Sequence, residues 1–336
     1  MSWYKREDMR SEAKATVLAF KGEGLSEKET RRYLRRIRQA YIRDMWSAEE
    51  FFYFHYDQLS RKGRRAFVTN VEKDWFCSEV NDKRVFDLFY SKGETYTHFA
   101  PYYRREVCPL VSKEDDLTEM KSFISRHRDI IIKPLRSSMG QDVKVIRNVD
   151  MDAILSIMDD YPLGIIAEEL IQQHPLMASP HPQSVNTVRI TTFIVDGKVN
   201  IVRPFMRFGC GDRVVDNGAQ GGLIGSIDYE TGIITNVVDE YGKKYVLHPD
   251  TKVPLVGFRV PKWEEAVAFA KELAGVLPYC RYVGWDLAFT EDGWVMVEGN
   301  SRGQFVGFQL PTGVGFREEL LSIAPSCLTF KKMKHK

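Results

Sequence analysis

Residues 281–300 read RYVGWDLAFTEDGWVMVEGN, and the way this stretch turns back on itself decides how the chain around it is arranged. Apolar runs on both sides of Glu291-Asp292-Gly293, a turn sequence, predict a β-hairpin. With a three-residue loop, Thr290 pairs with Trp294, and Asp286 comes to face Glu298. Opposed residues hold their Cβ atoms about 4.5–5.5 Å apart, and two like charges so placed are destabilising unless something neutralises them. Asn300, two residues beyond Glu298, points to the same face. Three oxygen-bearing side chains on one spot suit a hard divalent cation, Mg²⁺ or Mn²⁺. The other reading of the same residues is the wet polar side of an edge hairpin.

Outward from this hairpin the pattern stays mixed. TVRITTFIV (187–195) and KVNIVRPF (198–205) flank Asp196-Gly197, a second hairpin signal. Arg203 and Arg207 share strand parity, so both can face one cleft with Arg189. KWEEAVAFAKELAGVL (262–277) has helical spacing, as does MDAILSIMDDY (151–161). RAFVTN (65–70), IIIKP (130–134), DVKVI (142–146) and GIIAEE (164–169) are short apolar runs with the look of strands. The first sixty residues read as helix. Ser26 with Glu29 and Ser47 with Glu50 have the spacing of a capping box, and Leu34, Ile37, Tyr41 and Met45 recur at steps of three and four. Arg31, Arg32, Arg35, Arg36 and Arg38 crowd the rest of that helix, either as a solvated face or as a docking surface for an anionic lipid or polymer. The fold class is α+β.

In HRDIIIKPLRSSMGQDVKVI a strand delivers Lys133 and a loop of small residues follows at Ser137, Ser138 and Gly140. Exposed backbone N–H groups in such a loop can fold over phosphates, with the strand lysine adding a fixed charge. A lysine before Pro134 serves equally well as an edge residue that blunts aggregation. Gly221-Gly222 is open between a turn and a ligand contact.

The 336 residues carry 48 Lys and Arg against 46 Asp and Glu, so a net charge of +2 gives no overall reason to expect nucleic acid as partner. No run approaches the ~18 apolar residues of a membrane span, and the opening MSWYKREDMRSEAK lacks the apolar centre of a signal peptide. A cytoplasmic location is the expectation. The five cysteines are widely spaced and never form a C-x-x-C pair, which argues for free thiols. Cys210 has no histidine near it in sequence and reads as a bystander; His174 and His181 read as loop or ribose contacts.

Taken together these segments resemble the ATP-grasp superfamily over most of residues 80–310. The resemblance implies two α+β subdomains that hold ATP between them. It implies that Lys83, at the start of a helix, and Lys133 contact ATP phosphates, that Ser137, Ser138 and Gly140 belong to a mobile flap, and that Glu168, Glu169, Leu170 and Ile171 form the hinge that reads adenine. Asp286, Glu298 and Asn300 match its metal-binding D…E-x-N pattern. SVNTVR (184–189), VDN (215–217), GWDLAFTEDG and EGN are most similar to the sugar-transfer-associated branch, related to α-L-glutamate ligases. By that likeness Arg189, Arg207 and Asn217 fall where γ-phosphate, acyl phosphate or metal is contacted, Arg189 and Arg207 as the catalytic pair. Ser301-Arg302-Gly303 departs from the Ser-Pro-Gly common in those ligases, and the complete N-terminal α/β domain is replaced by helices and a reduced α/β segment.

The expected organisation is a helical region at 1–62, a reduced segment at 63–105, a subdomain with the glycine-rich loop at 106–170 and a metal-bearing subdomain at 171–330. The expected activity is an ATP- and Mg²⁺-dependent carboxylate–amine ligase working through an acyl phosphate, with a small acid and a sugar-linked amine as substrates. A phosphotransferase of the same fold and a non-catalytic ATP-binding scaffold are the alternatives. The basic helix is the candidate for peripheral membrane association.

Overall fold

The computed structural model describes residues 7–136, 143–212 and 221–325. Helices α1 (Glu7–Lys21), α2 (Glu27–Asp44) and α3 (Ala48–Tyr53) open the chain. Both expected capping boxes form, with Ser26 and Glu29 closing the start of α2 and Ser47 and Glu50 that of α3. Leu34 and Ile37 of α2 are buried in an aromatic-rich cluster with Trp46, Phe51, Phe52 and Phe54.

The helical region extends further than the sequence suggests. Residues 65–70 are not a strand: Arg61–Ala66 is helix α4, and Thr69 caps α5 (Asn70–Val80) through a third capping box with Glu72. The signal was present as T-x-x-E, and the short apolar run Ala66-Phe67-Val68 concealed it. Helices α6 (Lys83–Tyr90) and α7 (Lys92–Tyr103) follow, and the first strand among the described residues begins only at Val107.

Two antiparallel sheets carry the rest. The smaller holds β1 (Val107–Leu110), β2 (Ile130–Pro134), β3 (Lys144–Ile146) and β4 (Ile165–Glu169) in the order β1-β4-β2-β3. Helices α8 (Thr118–Arg126) and α9 (Met151–Asp160) bury Met120, Phe123, Ile154 and Met158 against it. The larger holds β5 (Thr187–Val195), β6 (Lys198–Phe208), β7 (Leu223–Ile227), β8 (Ile234–Val238), β9 (Tyr282–Thr290) and β10 (Gly293–Asn300), ordered β10-β9-β5-β6-β7-β8. Its main core receives α10 (Trp263–Val276) together with residues of α6 and α7. Asp196 and Gly197 both have positive φ, at 50° and 74°, and join β5 to β6 with Val195 paired to Lys198. That is the two-residue turn whose twist suits a hairpin.

The β9–β10 hairpin departs from the simple register. Gly293, not Trp294, pairs with Thr290, so the ladder starts one residue out of step and continues so to Met296 opposite Leu287. A bulge then leaves Val297 unpaired, and Glu298 falls opposite Asp286. A one-residue slip sends every side chain to the other face; without the bulge Val297 would face Asp286. The expected pairing is thus reached by two compensating offsets. A second irregularity breaks the parity of Arg203 with Arg207. Thr191 pairs with Val202 but Arg189 with Phe205, so Arg203 and Pro204 together oppose Ile190. Proline lacks the N–H a ladder needs and is at home in a bulge.

Candidate active site

Asp286 is fully buried at the centre of the larger sheet, opposite Arg189 on β5 and Glu298 on β10. Arg189 bonds it through Nε and through Nη2 at 2.7 Å, and Arg207 Nη2 lies 2.8 Å from its Oδ2. Arg207 also donates to Thr187 Oγ1 from Nε and Nη2, at 3.1 and 2.9 Å. Burial acts to raise the Asp286 pKa, yet the two guanidinium charges outweigh it and hold the carboxyl at about 2. Glu298 goes the other way. Burial first and the Asp286 charge second push it above the ordinary carboxyl value, so of the two acids Glu298 is the one whose charged form is disfavoured. Asn300 Nδ2 donates to Glu298 Oε1 at 3.1 Å and to Asp286 Oδ2 at 3.3 Å.

The donor set is all oxygen, and the Glu298 carboxyl is disfavoured in its charged form beside Asp286. The residues present therefore fit a hard divalent ion such as Mg²⁺, which prefers oxygen and lowers the pKa of any acid it meets. The hairpin does lie at the edge of the sheet, with β10 outermost, but Asp286 on β9 has no exposure, so its side of the hairpin is not a wet polar face.

A second cluster stands on the smaller sheet. Lys133 on β2 reaches diagonally across to Glu168 on β4, Nζ to Oε1 2.7 Å, and Arg105 takes the other oxygen at 2.6 Å. Burial works against ionisation of Glu168, but Lys133 and Arg105 prevail and hold its pKa at about 2. Glu168 thus spends its side chain on two cations, not on a hinge contact. Glu169 accepts a bond from Glu106 N at 3.2 Å, and half-buried Leu170 and Ile171 lead out of β4 toward the larger sheet.

Lys83 is not in either cluster. It opens α6 on an exposed surface and pairs with Asp87 one turn on. The lysine that a helix start delivers to the site is Lys92, first residue of α7 after the cap Ser91, with its backbone N–H bonded to Leu135 O at the end of β2. Burial lowers its pKa, and the charges that act on it are Glu298, Lys133 and Glu168. Lys92 is thus within electrostatic reach of both clusters. Its sequence signal, Ser91 followed by Glu94, is the same S-x-x-E spacing that marks α2 and α3. Arg105 carried no comparable signal. Ser137, Ser138, Gly140 and Asn217 lie outside the described residues.

Arg203 turns away, bonding Glu319 and the carbonyls of Phe308, Val314 and Gly315 near the C-terminal end. His181 is buried as a loop tie, with ring nitrogens at 2.8 Å from Ser184 Oγ and Gly211 O. Cys210 does have a histidine neighbour in space: His248 Nε2 is 3.8 Å from Sγ, and Asp250 completes a trio of metal-capable atoms within 4.8 Å. The imidazole is otherwise engaged. Its Nε2 donates to Gly209 O at 2.9 Å, and Nδ1 accepts from Asp250 N and Thr251 N at 3.2 and 3.4 Å, which leaves no ring lone pair for a base or a ligand.

Residues 158–324 match the family described as sugar-transfer associated ATP-grasp. No curated protein matches the chain. Among solved structures, the VanG D-Ala:D-Ser ligase from Enterococcus faecalis is similar with a TM-score of 0.50 at 13% identity, over 74% of this chain and 64% of its own. The D-alanine-D-alanine ligase from Helicobacter pylori gives 0.46 at 15% identity, over 71% and 61%. The ADP complex of an N5-carboxyaminoimidazole ribonucleotide synthetase gives 0.44 at 13%, over 71% and 52%. The chain thus spans about half to two thirds of the length of these proteins. Residues 158–324, just under half of the chain, thus match the sugar-transfer associated ATP-grasp family, and this matched part carries the larger sheet with Asp286, Glu298 and Asn300.

Proposed function

We propose that the protein is an ATP-dependent carboxylate–amine ligase that forms ADP, phosphate and an amide. The observation that carries this reading is the convergence of Asp286, Glu298 and Asn300 from the larger sheet with Lys92 and Lys133 from the side of the smaller one. An acidic face opposite a basic one is what a polyphosphate needs when one end is to be held and the other transferred. Lys92 and Lys133 would bind β- and γ-phosphate oxygens as point charges. Asp286, Glu298 and Asn300 would hold Mg²⁺, which when bound supplies charge neutralisation at the transferring phosphoryl group.

The acid substrate attacks the γ-phosphorus through a carboxylate oxygen, ADP leaves, and an acyl phosphate remains. The amine then attacks the acyl carbon, phosphate departs, and the nitrogen gives up a proton as the amide forms. Arg189 and Arg207 lie beside this face and would stabilise the charge that builds on the adduct, in a buried setting where such contacts count for more than in water. No covalent bond to the protein is needed, in keeping with the engaged state of His248 beside Cys210. A sugar-linked amine as acceptor rests on the description of the matched family alone.

The test is a product balance. The full chain with Mg²⁺ and ATP is screened against panels of acids and amines, aminosugars included, for ADP, free phosphate and coupled product. A ligase releases ADP, phosphate and amide in equal amounts and needs both substrates. ADP together with a phosphorylated acceptor and no free phosphate would make it a kinase instead.

A further inference from the structure

Arg105 sits between the end of α7 and the start of β1, with its side chain nearly inaccessible, stacked at 4.6 Å over the ring of Tyr103. Every N–H of its guanidinium has an acceptor. Nε and Nη2 donate to Glu168 Oε2 at 3.0 and 2.6 Å, Nη1 to Tyr103 O at 3.1 Å and Met296 O at 2.7 Å, and Nη2 to Val297 O at 3.5 Å. Two of these acceptors are the carbonyls at the bulge in β10. A bulge leaves ladder groups unpaired, and a buried carbonyl without a partner is costly. The same bulge decides that Glu298 and Asn300, not Val297, face Asp286.

We infer that Arg105 is a positioning residue: one guanidinium holds the bulge that presents the metal-binding carboxylate and, through Glu168, the lysine that meets phosphate, so the two sheets are set in register with each other at the reacting centre. This rests on the proposed ligase reading for what the two sides bind. The planar fork is essential, since five donors in fixed directions reach acceptors on two sheets, whereas an ammonium offers three from a single point.

Arg105→Lys and Arg105→Met in the full chain test it, with Arg105→Lys decisive if Arg105→Met does not fold. Two readouts are taken. One is amide hydrogen exchange over residues 293–300 against the rest of the larger sheet. The other is calorimetric binding of Mg²⁺ with a non-hydrolysable ATP analogue. Exchange in β10 should rise at least tenfold with the β5–β6 ladder unchanged, and Mg²⁺ affinity should fall at least tenfold. A lysine variant with wild-type exchange in β10 and wild-type Mg²⁺ affinity overturns the inference, as does a uniform rise in exchange across the whole sheet. If wild type binds neither Mg²⁺ nor nucleotide, the ligase reading fails while the exchange result still decides the role of Arg105 at the bulge.

Discussion

Asp286 on β9 stands directly opposite Arg189 on β5, and the guanidinium takes both carboxylate oxygens inside the sheet. The two acids of the hairpin are therefore not equivalent. Asp286 is matched by Arg189 and Arg207 without any metal, while Glu298 is the acid whose charge is suppressed.

Asp286→Asn should be the more damaging change for stability. It leaves the buried Arg189 guanidinium without its paired anion and loosens the hold on half-buried Arg207, and breaking a buried pair from one side costs about 3–5 kcal/mol. Glu298→Gln removes a carboxyl whose charge is already disfavoured by burial and by Asp286, and should cost less stability than Asp286→Asn. Both should abolish ADP formation at limiting Mg²⁺. Urea unfolding and an ADP assay on the two variants check this; equal loss of stability in both would contradict the inequivalence of the two acids.

The lysines separate three ways. Lys92→Ala and Lys133→Ala should each weaken ATP binding by tenfold or more, about 1.4 kcal/mol. Lys83→Ala should leave it unchanged, because that side chain is exposed and paired with Asp87. Lys133→Ala should also lower stability, since Glu168 then loses one of its two ion pairs and keeps the one with Arg105. Calorimetry with a non-hydrolysable ATP analogue gives the comparison, and a Lys83→Ala loss equal to that of Lys92→Ala would refute the placement.

These contrasts mark where sequence reading reaches its limit. Local signals carried through: the S-x-x-E boxes, the Asp196-Gly197 turn and the helix at Trp263–Val276 all depend on neighbours within a few residues. Asp286 opposite Glu298 was legible only because an offset at Gly293 and a bulge at Val297 cancel. The bulge carbonyls take a long-range contact from Arg105, 191 residues away from Met296, and no spacing rule reports that. Arg203 shows the same limit in reverse, since strand parity assumes an unbroken ladder and Pro204 breaks it. Lys83 and Lys92 both begin helices, and which one reaches the site is set by how α7 docks against β2.

Glu50 makes the protein sensitive to pH far from the site. It is almost fully buried, and its two oxygens accept Ser47 N at 2.8 Å and Asn70 N at 2.7 Å. Burial raises its pKa from 4.5 to about 7. A carboxyl with a higher pKa in the fold keeps its proton where the unfolded chain has lost it, so folding takes up a proton between about 4.5 and about 7. Its contribution is complete below that window and is lost as pH rises through it, by about 3 kcal/mol at most. In Glu50→Gln one backbone N–H must face an amide NH₂, which costs about 1–3 kcal/mol at every pH. The stability advantage of wild type over Glu50→Gln should therefore shrink between pH 5 and pH 8. Thermal midpoints of both proteins across that range measure it, and a constant difference would show that Glu50 does not titrate there.

We propose the exposed side of α2 as a contact for anionic membrane, and the structure narrows which arginines could serve. No helix among the described residues is long and apolar enough to cross a membrane, so the contact would be peripheral. Arg36 is paired with Asp57 at 2.5 Å and Arg38 is half-buried, which removes them from the outward face. Arg31, Arg32 and Arg35 are exposed; Arg31 pairs only with Glu27 on the same helix, a surface pair of small value. Each basic residue near an anionic surface contributes about 1 kcal/mol, and the attraction decays over about 8 Å at physiological salt. Replacing Arg31, Arg32 and Arg35 by glutamine should then weaken sedimentation with phosphatidylserine-rich vesicles by roughly a hundredfold in partition constant at low salt, from about 3 kcal/mol in all. Arg36→Gln should leave partitioning near wild type and instead lower stability slightly through Asp57. Wild-type pelleting that persists at 0.5 M salt, where the Debye length is down to about 4 Å, would point to apolar insertion. Absence of pelleting in wild type would leave α2 as a cover over α1 and α3, with Leu34 and Ile37 turned inward and its arginines simply solvated.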